Sequence, residues 1–83
     1  MNQERPLIWA FTSQELGAAL RRYRKDSALS QDGLAERLGV SRMTVSRLER
    51  GDAVSLDTAV AALSECGAKL AVVPKSARIR MVP

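Results

Sequence analysis

The residues of this chain best suited to chemistry lie between Gln31 and Gly51. They suit contact chemistry, not bond-making. Arg42, Arg47 and Arg50 are interleaved with Ser41, Thr44 and Ser46. A guanidinium is a planar, permanently charged fork that matches guanine O6/N7 or two phosphate oxygens. Arg42 and Arg47 therefore suit base reading, and Met43 suits contact with a thymine methyl. Ser41, Thr44, Ser46 and Arg50 suit phosphate oxygens. So does Gln31, where the backbone N–H groups of a helix start also favour an anion. The same residue types can equally form a solvated face. The groups needed for bond-making are missing. The chain has no His and a single cysteine, Cys66. A zinc site, a Cys/His nucleophile and an intrachain disulfide are thereby excluded. Glu15, Glu36, Glu49 and Glu65 take ordinary helical positions. We expect neither an enzyme nor a cofactor.

The elements that must hold this stretch can be read from caps and periodicity. Thr12-Ser13-Gln14-Glu15 reads as a capping box, a hydroxyl with a Glu three residues on. A helix follows to about Lys25, with Leu16, Ala19, Leu20 and Tyr23 on one stripe. Ser30 caps a helix from Gln31 to Leu38, ended by Gly39. Ser41 caps another from Arg42 to Arg50, ended by Gly51. Its inward face is Val45, Leu48 and Glu49, and its outward face is polar. Ser55 caps a fourth from Leu56 to about Glu65, closed by Gly67. Two short helices joined by a Gly-containing turn form a helix-turn-helix, and the outer face of the second fits the major groove. Two such helices also occur in many all-α proteins with no nucleic-acid role.

The bulk numbers agree with one small domain. At 83 residues the chain is too short for two. Net charge is +4, and ten of the 13 basic residues are Arg. Only Trp9, Phe11 and Tyr23 are aromatic, so the core must come from Leu, Val, Ile and Ala, and dimerisation would help its stability. A single cysteine, which allows no intrachain disulfide, suits a reducing cytoplasm. No apolar run approaches a transmembrane length, and the start of the chain lacks the apolar region of an export signal, so neither a membrane nor export is expected.

Leu29-Ser30-Gln31, Leu34-Ala35, Leu38-Gly39-Val40-Ser41, Val45-Ser46 and Leu48-Glu49-Arg50-Gly51 together resemble the phage-repressor/Cro-like (Xre-type) helix-turn-helix family, over about residues 13–67. The resemblance implies an all-α, four- to five-helix domain of the Cro/lambda-repressor kind that binds duplex DNA. It implies base reading by Arg42, Met43 and Arg47, and phosphate contact by Gln31. It also implies a partly buried ion pair between Arg24 and Glu49, which makes Glu49 structural.

Beyond the helices, residues 68–74 are β-rich and bounded by Gly67 and Pro74, and read as a short strand. A lone edge strand cannot satisfy its own backbone groups. Lys69, Leu70, Ala71, Val72 and Val73 are therefore expected to pair with a second subunit about a two-fold axis, placing two recognition helices on a palindromic operator with half-sites ~34 Å apart or a multiple of that. The chain thus divides into an N-terminal arm (1–11), the helix-turn-helix domain (12–67), a dimerisation strand (68–74) and a basic tail (75–83). The tail alternates charge and apolar residues at period two. It suits a second strand, a toxin contact, a DNA contact through Arg78 and Arg80, or a solvated end. Trp9 is expected to pack on the core or on the dimer strand, with a DNA or toxin contact as the alternative. This layout is similar to HipB-type antitoxins, which partner a HipA-type kinase toxin and repress their own operon. The resemblance implies a dimeric repressor acting as the antitoxin of a toxin–antitoxin operon. A stand-alone regulator and a pure protein-interaction module remain as alternatives.

Overall fold

The computed structural model describes residues 7–76 and holds four helices in them: α1 (Ser13–Asp26), α2 (Gln31–Leu38), α3 (Arg42–Arg50) and α4 (Leu56–Glu65). The expected count of four to five thus resolves to four among the described residues. Each start follows from local chemistry. Thr12, Ser30, Ser41 and Ser55 are extended, and each hydroxyl accepts the N–H of the residue three positions on. At α1 the capping box is shifted. The Glu15 carboxylate accepts the N–H of Phe11, not of Thr12, and so ties down the end of the arm.

The helix ends share one device as well. The N–H of Leu29, Val40, Asp52 and Ala68 reaches back to the carbonyl of Arg24, Ala35, Arg47 and Leu63, respectively. Each bond needs a left-handed residue just before it. Gly39 and Gly51 supply it after α2 and α3, at φ 69° and 81°. After α1 the left-handed residue is Ala28, at φ 58°, where a Cβ makes the conformation costly.

The core lies between the helices. Leu20, Leu34, Ala35, Val45, Leu48, Ala59, Ala62, Leu63 and Cys66 form one buried cluster. Leu16, Tyr23, Leu29, Leu38, Val40, Val54 and Ala68 close its margins. Helix α1 packs tightly on α3 at Gly17, where an added Cβ would lie 2.5 Å from the carbonyl oxygens of both Leu48 and Glu49. Two side chains stitch the ends. Ser13 Oγ donates to the Gly51 carbonyl at 3.1 Å, and Ser27 Oγ to the Cys66 carbonyl at 3.1 Å.

Two expectations are corrected. Residues 68–74 form no strand, and the described residues contain no strand at all. A ladder needs a neighbouring strand, and the described residues offer none to Lys69, Leu70, Ala71, Val72 and Val73. Only Ala68 packs on the core, while Val72 stands 94% exposed. Trp9 does not join the core cluster either: it is 48% exposed, and Phe11 beside the Glu15 tie is 83% exposed. Residues 1–6 of the arm lie outside the described residues, as does the stretch from 77 to 83 that carries Arg78 and Arg80.

Candidate nucleic-acid interface

The outer face of α3 follows from what its inner face must do. Val45, Leu48 and Glu49 are buried, so the 100° helical step turns Met43, Arg47 and Arg50 toward solvent. Arg42, Met43, Arg47 and Arg50 are exposed, and Thr44 and Ser46 are half-buried beside them. Gly39 and Ser41 set how this helix leaves α2. The corner is plugged by Val45, fully buried, and by Val40, packed on the cluster. Helix α3 therefore stands rigidly on α1 and α2 with a convex polar face.

Behind that face lies a buried polar node. Arg24 Nε donates to Glu49 Oε2 at 2.5 Å, and Arg24 Nη2 to Glu49 Oε1 at 3.2 Å. Arg24 Nη1 donates to the Leu29 carbonyl at 2.7 Å. Both side chains are almost wholly buried. A planar guanidinium gripping a carboxylate at two points fixes orientation as well as distance. The node pins the end of α1 and the α1–α2 loop to α3. It also reaches the surface. Gln31 Nε2 donates to Glu49 Oε1 at 3.0 Å, while Gln31 Oε1 accepts from Arg42 Nε at 3.4 Å. Gln31 thus has its amide orientation set by Glu49 below and Arg42 beside it.

The remaining polar residues divide by how free they are. Ser41 and Thr44 are joined through the α3 cap: the Ser41 hydroxyl accepts the Thr44 N–H at 3.2 Å and lies 3.1 Å from the Thr44 hydroxyl. Arg47 Nη2 reaches back to the Ala53 carbonyl at 3.4 Å, a long and weak bond. Arg50 is the most constrained. Its Nε and Nη2 fork onto Asp52 Oδ2 at 3.3 and 3.1 Å, and its Nη1 donates to Ser46 Oγ at 3.2 Å. Asp52 offsets the charge of Arg50 and occupies three of its five N–H donors together with Ser46, which weakens its hold on any phosphate. Sequence reading missed this carboxylate, although its place two residues after Arg50 and just past the Gly51 stop is a signal in plain view. Gly17 was missed likewise, and its signal was a glycine inside a helix that needs no bend.

Between α1, α2 and α3 opens a depression of ≈ 380 Å³ lined by Arg21, Arg24, Ser30, Gln31, Asp32 and Arg42. Its walls are charged or polar throughout. A site that buries a small organic ligand is mostly apolar, and this one is not. Among the described residues, no group of three or more His, Cys, Asp or Glu is placed to hold a metal ion.

Four helices with this α2–α3 corner and this exposed face define a helix-turn-helix domain. The Helix-turn-helix domain family matches residues 15–74, and the chain belongs to it. Among solved structures, it is 37% identical to the clp gene regulator ClgR from Corynebacterium glutamicum, with a TM-score of 0.63. That likeness takes in 77% of this chain and 65% of the regulator's, so the chain spans somewhat under two thirds of that protein. A second structure of the same regulator gives 34% identity, a TM-score of 0.64, and coverage of 83% and 85%. A chain of the HipA-HipB-O2-O3 complex shares the fold at TM-score 0.73 and 20% identity, over 82% of this chain and 97% of that one. No curated protein sequence matches significantly. Among the described residues no helix is long and apolar enough to cross a membrane.

Proposed function

We propose that the protein is a sequence-specific, duplex-DNA-binding transcriptional repressor that acts as a homodimer and carries out no catalysis of its own. The observation that carries this reading is the outer face of α3, where Arg42, Met43, Arg47 and Arg50 project from a helix held rigidly by the Arg24–Glu49 node. In this reading Arg42, Met43 and Arg47 touch base edges. Gln31, Ser41, Thr44, Ser46 and Arg50 touch the sugar-phosphate backbone on either side. Membership of the helix-turn-helix family supports it. Homodimerisation is supported by apolar surface that the single chain leaves open: Leu56 and Val60 on α4, and Leu70, Val72 and Val73 in the segment from 68 to 74. Two copies would present two recognition helices to a palindromic operator.

Two finer readings follow, each with its own support. The fold shared with a chain of the HipA-HipB-O2-O3 complex supports an antitoxin that neutralises a kinase-like toxin and represses its own operon. The higher identity to the clp gene regulator supports a regulator without a toxin. Two measurements test the whole. Selection from a random duplex pool should enrich a palindrome, and recovery of no preferred sequence would overturn sequence-specific binding. Affinity purification from the native locus should return either a stoichiometric kinase-like partner, which favours the antitoxin, or DNA alone, which favours the stand-alone regulator.

A further inference from the structure

The arginines of the described residues fall into two groups. Arg22, Arg24, Arg37 and Arg50 each have a carboxylate partner: Asp26, Glu49, Glu65 and Asp52. Arg21, Arg42 and Arg47 have none. Arg42 and Arg47 belong to the face of α3 already described, but Arg21 belongs to α1 and has no place in that account. An unpaired surface arginine is ordinary by itself. Arg21 differs in what it converges on. It lies one helical turn before Arg24 and lines the same depression as Ser30 and Gln31 at the start of α2 and Arg42 at the start of α3. The positive charge of Arg24 is taken up by Glu49. The depression therefore holds two uncommitted guanidiniums, from two different helices, against one carboxylate, Asp32. Arg42 places its rim next to the face that would enter the groove.

We propose that this depression seats a backbone phosphate of the bound duplex, and that Arg21 is the α1 residue that grips it. The inference rests on the DNA-binding reading and extends the DNA footprint from α2 and α3 to α1. Arg21 supplies the gripping charge from α1, Gln31 adds the side-chain N–H that Glu49 leaves over, and Arg42 stays on the rim with its fork turned to the bases. The contact reads no base. It fixes the height at which α3 sits in the groove, and Asp32 weakens it.

The test is a set of fluorescence-anisotropy titrations with a random-sequence duplex, over about 50–200 mM salt, using the whole chain. Each neutralised phosphate adds about 0.9 to the slope of log affinity against log salt, so the fall in affinity across that range should be about 3.5-fold smaller for Arg21→Gln than for the wild type. Arg21→Lys should keep most of the slope. Arg22→Gln, one residue along the helix and paired with Asp26 outside the depression, should leave it unchanged. Thermal melts of all variants confirm that they are folded. An Arg21→Gln protein with the wild-type slope would overturn the assignment and leave DNA binding intact. So would equally reduced slopes for Arg21→Gln and Arg22→Gln, because a general field and not a site would then be acting. A wild-type protein that binds no duplex would overturn the DNA-binding reading itself, and the Arg21 grip with it.

Discussion

Replacing Glu49 by leucine removes one half of the buried Arg24–Glu49 pair. The consequence can be worked from its contacts. Arg24 would be left almost wholly buried with its Nε and Nη2 donors unmet, retaining only the Leu29 carbonyl. Breaking one partner of such a pair costs about 3–5 kcal/mol. An 83-residue domain has only about 4–12 kcal/mol in total, at roughly 0.05–0.15 kcal/mol per residue. Glu49→Leu should therefore remove between about a quarter and all of the protein's stability at 25 °C. The double variant Arg24→Met/Glu49→Leu removes the charges together and fills the space with apolar atoms. Exchanges of that kind are often neutral or stabilising by about 1–4 kcal/mol. Here the Leu29 carbonyl loses its donor, a cost of about 1–3 kcal/mol. The two effects offset, and the double variant should lie within about 2 kcal/mol of the wild type. Urea denaturation followed by circular dichroism measures all four corners of this cycle. A double variant as unstable as Glu49→Leu alone would refute the reasoning, because the destabilisation would then come from packing and not from an orphaned charge.

Gly17→Ala sets a helix-propensity gain of about 1 kcal/mol against a Cβ driven into two backbone carbonyls 2.5 Å away. Rigid overpacking costs about 1–3 kcal/mol or more, so thermal denaturation should show a lower Tm, and an unchanged or higher Tm would mean that α1 and α3 can part freely. Ala28→Gly relieves a left-handed alanine and should stabilise by about 1 kcal/mol, raising Tm by several degrees. Asp52→Asn releases Arg50 from its fork. Affinity for a random duplex should rise and the salt slope steepen by up to about 0.9, whereas an unaltered slope would show that Arg50 does not meet phosphate. Arg42→Ala should cost about 1–3 kcal/mol on a selected duplex and much less on a random one, and equal costs on both would remove Arg42 from base reading. Val72→Asp puts a charge on the exposed segment after α4 and should shift sedimentation from dimer to monomer; a dimer that persists would move the interface elsewhere.

What the sequence by itself determined was everything that each helix carries within its own few residues. The starts at Thr12, Ser30, Ser41 and Ser55 and the stops at Gly39 and Gly51 were legible because a cap is a contract between neighbours in the chain. The buried faces of α2 and α3 were legible because Leu34, Ala35, Val45 and Leu48 repeat at the helical period. Tertiary structure decided whatever needed a partner from far along the chain. The composition of residues 68–74 suits a strand, but a ladder exists only where a second strand is present, and the described residues contain none. Trp9 is apolar, but the core is closed by side chains of the helices and their loops, Tyr23 among them, so it stays half exposed. Gly17 looks like a flaw in α1 until α3 arrives against it. Gln31 and Arg50 read alike as polar surface. Only the fold, by setting Glu49 beneath the one and Asp52 beside the other, made the first an oriented donor and the second a cation held back by its neighbour.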